Sequence, residues 1–195
     1  HCTISSMDEH QVIVSVNSSV PTISEPSVSV TLYQGLPKSD KMDSVVQKAV
    51  EMGVTRIVPM LTQRCVSRPD QKSAQKKVER WQKISVEAAK QCGRGILPPV
   101  SPVTDFSAAL RQAASESTIL FFYEGGGQSL QQCIDPSCKE YSIFIGPEGG
   151  FSEEEVQFAL DLGAKKVTLG PRILRTETAP VAALAAIMLT TGNMT

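Results

Sequence analysis

The sequence predicts an α/β domain with a mostly parallel sheet and helices on both of its faces, preceded by a short β-rich segment. Three observations carry that prediction. From Ser27 onward, strand-like and helix-like patterns alternate, as they do in sheets wound with crossover helices. One of those strands, "STILFFYE", centres on the unbroken apolar run Ile119 to Phe122 and reads as a buried strand. Several strands empty through glycine straight into a helix start, the arrangement found at the ligand-binding edge of parallel sheets.

Taken in order, residues 1–26 alternate weakly. "QVIVSVNSSV" is the one good strand there, and the Pro/Ser-rich "PTISEP" follows as a connector. So short a piece cannot bury a core alone, so it reads as the tail of a domain. The second unit, 27–195, opens with the strand "VSVTLYQ". Next comes the helix "SDKMDSVVQKAVEMG", for which Ser39 is the expected N-cap and Gly53 the stop. "RIVPML" is a strand. It leads to a long helix in "QKSAQKKVERWQKISVEAAKQCGRG", where Val78, Trp81, Ile84, Val86, Ala88 and Ala89 recur at roughly helical spacing. "FSAALRQAA" is a short helix, "GGGQSLQQC" a turn into another, and "YSIFIG" a strand. "SEEEVQFALDLG" is a helix, "KKVTLG" a strand, and the Ala-rich segment from Ala179 the last helix.

Composition excludes several classes of function. Apolar residues make up 41% and charged residues 20% of the chain, which is globular rather than disordered usage. The longest strongly apolar run, Ala179 to Leu189, falls short of the roughly 20 residues that span a bilayer, and "HCTISSMDEHQ" has neither the basic start nor the apolar core of a signal peptide. Five cysteines (Cys2, Cys65, Cys92, Cys133, Cys138) form no CxxC pair, and their odd number argues against a disulfide framework and for a reducing cytoplasm. Cys133 and Cys138 flank a Pro-Ser turn without a histidine nearby, so no metal site is expected. The only histidines are His1 and His10. Histidine-based nucleophilic or general-base chemistry is therefore excluded from the body of the chain.

The net charge of −1 conceals an asymmetry. Between Lys38 and Arg94 lie 13 of the 19 basic residues against six acidic ones, a local balance of +7 that leaves the remainder at −8. The long helix is the densest part. Its basic face fits a solvated helix surface and a phosphate-binding surface alike; the candidates for gripping RNA are Lys38, Lys41, Arg64, Lys76, Lys77, Arg80, Lys83 and Arg94.

"IFIGPEGGFSEEEV" holds the clearest local signal. Ser152 and Glu155 form a capping box, Phe151 and Val156 a hydrophobic staple, and Glu153 to Glu155 sit where the helix dipole favours anions. Helix initiation accounts for those acids. It does not account for Gly-Pro-Glu-Gly-Gly, since a tight turn needs one or two glycines and no glutamate. "LGPRILRTETAP" and "FYEGGG" also leave strands through glycine. Each fits an ordinary turn, and the three together fit backbone converging on a ligand.

These stretches, with "LPKSDKMDSVVQKAVEMGV", "RCV" and "KKVERWQKISVEAAKQCGR", resemble the bacterial 16S ribosomal RNA uracil-N3 methyltransferases, within the knotted SPOUT class of S-adenosylmethionine enzymes. The resemblance covers about residues 29–192. It implies a SPOUT-type sheet with a C-terminal trefoil knot, and it makes residues 1–26 a remnant of a PUA-like RNA-binding β-barrel. It implies that the cofactor is held mainly by backbone of three loops: Tyr123 and Glu124; Gly146, Glu148, Gly149 and Gly150; and Leu169, Gly170, Ile173 and Leu174. A side chain at Gly149 is expected to fill ligand space. For the attack of uridine N3 on the methyl group, Arg175 is expected to stabilise the uracil oxyanion and Glu177 to act as base or orienter, with no metal required. Alanines 179, 182, 183, 185 and 186 suit a helix crowded by a knot and by the partner subunit of a homodimer, and would equally suit a plain buried helix. A SPOUT enzyme acting on transfer RNA and a non-catalytic RNA-binding module are the rival readings.

Overall fold

The computed structural model describes residues 1–20, 22–135 and 137–194; Pro21 of the connector and Pro136 of the Pro-Ser turn lie outside the described residues. Strands β1 (Cys2–Met7) and β2 (Val12–Val16) form an antiparallel hairpin. The sequence pattern predicted only the second of these strands. Pairing of Cys2 with Val16, Ile4 with Val14 and Met7 with Val12 collects six apolar side chains on one face. The other face carries polar pairs such as Ser5 with Ser15 and Asn17 with Thr3. The apolar face is bare, with Ile4 63% and Val16 70% exposed.

The rest is one seven-stranded sheet in which every pairing is parallel. In chain order it comprises β3 (Ser29–Gly35), α1 (Lys41–Glu51), β4 (Arg56–Leu61), α2 (Gln71–Gln91), β5 (Thr104–Asp105), α3 (Phe106–Glu116), β6 (Thr118–Phe122), β7 (Gln128–Ser129), α4 (Leu130–Cys133), β8 (Glu140–Ile145), α5 (Glu153–Asp161), β9 (Lys165–Thr168) and α6 (Ala179–Thr190). The strand order is β5-β4-β3-β8-β6-β9-β7. The two-residue strands at the sheet edges were not predicted, because two residues are too few to show a period.

Each central strand feeds both faces of the sheet by simple alternation. Leu32, Leu120, Ile143 and Ile145 point to a core shared with α1, α2 and α6. Tyr33, Phe121 and Phe144 point to a core shared with α3 and α5. The second core is aromatic: Tyr33 stacks on Phe144 at 4.4 Å between ring centroids, and Phe106 meets Phe121, Phe144 and Phe151. Among the described residues, no helix is long and apolar enough to cross a membrane.

Two helix starts differ in how they are capped. The capping box of α5 forms as expected: the Ser152 hydroxyl accepts from the Glu155 N–H at 3.2 Å, and the Glu155 carboxylate accepts from the Ser152 N–H at 2.9 Å. The expectation for α1 is corrected. Ser39 has φ +57° and is not the cap; Asp40 occupies that position, without a side-chain bond. The carboxylate that reaches this helix start comes from Glu148, which accepts the Lys38 N–H.

Arg94 also departs from expectation. Its side chain is 3% exposed, paired with Glu25 at 2.7 Å and donating to the carbonyls of Val50 and Val54, so it cannot reach RNA. It pins the connector to the end of α1. Burial pushes the Glu25 carboxyl up, but Arg94 and the N–H groups of Gly95 and Ile96 outweigh that and hold it below its ordinary value. A lowered carboxyl contributes stability that is present above its unfolded pKa and lost as pH falls through the folded one. Arg94→Met should therefore cost about 2 kcal/mol in denaturant unfolding at neutral pH, since it leaves a half-buried carboxylate with only its two N–H partners. The gap to the parent should narrow as pH drops below the ordinary carboxylate range. An unchanged midpoint would show the pair to be inert.

Candidate functional site

The carboxyl ends of β6, β8 and β9 open into a cleft of about 900 Å³. All three glycine-bearing loops line it. Tyr123 and Glu124 follow β6; Gly146, Glu148, Gly149 and Gly150 follow β8; Leu169, Gly170, Ile173, Leu174 and Arg175 follow β9. Segments far apart in sequence thus meet around one space. Phe122 and Ile145, which the sequence reading did not single out, add apolar wall.

The 146–150 turn is packed so closely that side chains are excluded for specific reasons. Gly150, at φ +65°, holds a left-handed conformation that a side chain would strain, and a Cβ there would also have to push aside the exposed Glu124 carboxylate. One on Gly35, the last residue of β3, would lie 2.6 Å from Pro147 Cδ and 2.8 Å from Pro147 N. Gly35 was missed, although a glycine closing an apolar strand is a signal of close backbone approach. Gly149 lines the cleft, and a Cβ there would also meet Arg64 Cβ at 3.1 Å.

Glu148 answers what a carboxylate does in this turn. It accepts from Lys41 Nζ at 2.9 Å as well as from the Lys38 N–H. Its carboxylate is committed to protein partners, so what it can offer a ligand is backbone. Burial raises its pKa; Lys41 and the backbone amides more than reverse that, leaving it below the ordinary value. The same bond raises the Lys41 ammonium, with burial opposing.

Lys41 also faces Glu177 Oε2 at 3.4 Å. That oxygen is buried and has no hydrogen bond of good geometry among the described residues. Lys41, expected to grip RNA, is instead the hub joining the start of α1 to one carboxylate from each of two loops. Arg175 lines the cleft from an exposed position.

Behind this rim lies a polar cluster that the sequence reading missed. Gln34, 0% exposed in β3, donates through Nε2 to Thr176 Oγ1 and the Gly35 carbonyl, both at 3.0 Å, and at 3.4 Å to the Gly146 carbonyl. Thr176 in turn donates to the Gly146 carbonyl at 2.7 Å. A glutamine at the end of an apolar strand was the available signal.

The remaining basic candidates separate by their partners. Arg80 is paired with Asp43, and Arg64 Nη1 donates to the Gly149 carbonyl at 3.0 Å. Lys38, Lys76 and Lys83 are exposed, Lys77 is half-buried, and none of these four has an ion-pair partner among the described residues. Lys90 is paired with Glu87.

Comparison with known proteins agrees with this geometry. A family model for the RNA methyltransferase domain matches residues 24–188. The chain is 38% identical over 170 residues to the ribosomal RNA small subunit methyltransferase E of Bacillus subtilis, covering 84% of this chain and 66% of that relative. It thus spans just under two thirds of that protein's length. A crystal structure of a ribosomal RNA small subunit methyltransferase E from Neisseria gonorrhoeae bound to S-adenosyl methionine superposes with a TM-score of 0.81 at 36% identity, covering 96% of this chain and 77% of that one. A putative methyltransferase from Legionella pneumophila in complex with the same cofactor gives 0.86 at 31% identity, with the same coverage.

Proposed function

The chain belongs to the RNA methyltransferase family, and on that premise we propose that it binds S-adenosylmethionine in the cleft and methylates N3 of a uridine in 16S ribosomal RNA. The observation that carries this reading is the meeting of three glycine-bearing loops at one cleft lined by Arg175 and Lys41, with Glu177 facing Lys41 at 3.4 Å. The bound cofactor of the Neisseria and Legionella proteins and the names of the curated relatives support it.

The residues present fit the cofactor. Phe122, Ile145, Leu169 and Leu174 would supply apolar surface for a purine ring, and the glycine turns leave backbone open to the cleft, where it could hydrogen-bond a ribose. Bound there, the cofactor supplies a sulfonium methyl group with a neutral thioether as leaving group, so no metal is called for. The chain's own task is the uracil. Its N3–H is a weak acid and must be lost as N3 attacks. In this reading Arg175 meets the charge that develops on the uracil oxygens, and Glu177, whose carboxylate is paired with Lys41 at the edge of the cleft, takes or orients that proton.

Three further assignments rest on the same premise. The exposed lysines of α2 grip RNA phosphates. The segment from Arg175 onward threads beneath the 146–150 turn to form the trefoil knot, which the Thr176–Gly146 bond supports. The β1–β2 hairpin is a remnant of a PUA-like RNA-binding barrel. A cytoplasmic protein is the natural setting for ribosomal RNA as substrate. We also assign a homodimer through α6, where Ala182, Ala185, Ala186 and Leu189 form an apolar stripe that is not fully buried.

Incubation of the chain with labelled cofactor and 16S RNA, followed by mass mapping, should yield N3-methyluridine, and Arg175→Ala should lower the rate by about 100-fold. Label on no uridine, with cofactor bound, would refute the reaction. Lys76→Glu with Lys83→Glu should weaken RNA binding about tenfold and flatten its salt dependence while cofactor affinity holds; Lys90→Glu, already paired, should change little. Equal losses in both variants would mean that the face acts only through net charge. Light scattering should give twice the 21.0 kDa of one chain, and Ala186→Glu should reduce it to one; a monomeric parent would remove the dimer.

A further inference from the structure

We propose that Gln34 and Thr176 are positioning residues that set the distance between the cofactor turn and the Arg175–Glu177 pair; this rests on the reading of the cleft given above. Thr176 stands between the two groups assigned to the uracil. Its own side chain turns inward, 6% exposed, onto Gln34 Nε2 and the Gly146 carbonyl. The chain then closes on itself, with the N–H groups of Thr178 and Ala179 both donating to the Arg175 carbonyl, at 2.8 and 3.0 Å. A threonine pinned inside such a turn fixes the directions in which its two neighbours leave it. Gly146, its other partner, is the first residue of the turn that lines the cofactor side of the cleft.

Gln34 is the fixed point of this arrangement. It sits on β3, which pairs with β8 on one side and β4 on the other, so its backbone is among the least free in the molecule. One buried amide group therefore reaches both the last residue before Pro147 and the segment entering α6. Its Oε1 has no partner among the described residues. An unsatisfied buried carbonyl oxygen carries a penalty, and a position kept polar at such a cost points to a role other than stability. Lys41 makes a second connection between the same two segments, through Glu148 and Glu177, but at the solvent edge and with a longer contact. The buried connection sets the spacing, and the ionic one follows it.

The test uses Thr176→Val, which removes the hydroxyl at nearly constant volume, Thr176→Ser, which keeps it, and Gln34→Met. At saturating RNA and cofactor, the Thr176→Val and Gln34→Met chains should turn over about 10- to 100-fold more slowly. Cofactor Kd should stay within about threefold, and Thr176→Ser should recover most of the rate. Hydrogen exchange at the Thr178 and Ala179 amides should quicken in Thr176→Val, a readout that needs no activity. Unchanged exchange in that variant overturns the latch whether or not the chain methylates RNA. Parallel loss of rate, cofactor affinity and thermal midpoint, without rescue by serine, overturns it as a merely structural bond. Failure of the parent chain to methylate any uridine would instead refute the reading of the cleft, and the exchange measurement would still decide the latch.

Discussion

The Gly146–Gly150 turn is held from four directions at once, and the cleft exists because of that confinement. Gln34 and Thr176 grip the Gly146 carbonyl from below, Gly35 lies against Pro147, Lys38 and Lys41 bind the Glu148 carboxylate, and Arg64 donates to the Gly149 carbonyl. These partners come from four places: β3, the segment before α6, the start of α1, and the loop after β4. A turn with so few side chains has little of its own to fold around. Its shape is imposed by neighbours, which is why glycine serves here and why a single added methyl group at Gly35 would meet proline ring and backbone together.

Such a turn leaves backbone as the main ligand surface. Backbone groups cannot be repositioned by choosing a rotamer, so their precision is that of the strands and helices holding them. The arrangement divides labour between the two sides of the cleft. The turns after β6 and β8 contribute shape and hydrogen-bonding backbone, whereas the segment after β9 contributes the charged side chains. The chemistry proposed here demands that division, because a sulfonium methyl needs placement and the uracil needs charge compensation.

Much of this was legible in the sequence for a physical reason. A parallel sheet forces its strands to be apolar and its loops to carry function, so strand ends with glycine marked the cleft directly. The capping box of α5 was readable because it is a local motif. What escaped was non-local. Nothing near Arg94 indicates that Glu25, 69 residues earlier, removes it from the basic surface. What the Glu148 carboxylate does was equally hidden, because its partners, Lys38 and Lys41, lie more than 100 residues away. Ser39 fitted the preferences for an N-cap, yet the loop entering α1 takes a left-handed turn at that residue to bring Lys38 and Lys41 onto Glu148.

Net charge was the least informative quantity, and the fold shows why. The basic helix α2 packs in the core on one side of the sheet, whereas α5, with Glu153, Glu154 and Glu155 in its first turn, packs on the other. Two layer spacings of about 10 Å put these helices roughly 20 Å apart. Screening in physiological salt acts over about 8 Å, so the acidic side does little to cancel the field of the basic side. A chain of net charge −1 can therefore present a cationic surface to a polyanion and an anionic one away from it. The two charged surfaces meet at one place: Glu155 of α5 accepts the Gln63 N–H at 2.7 Å, in the loop from which Arg64 donates to the Gly149 carbonyl, and they part along the lengths of the two helices.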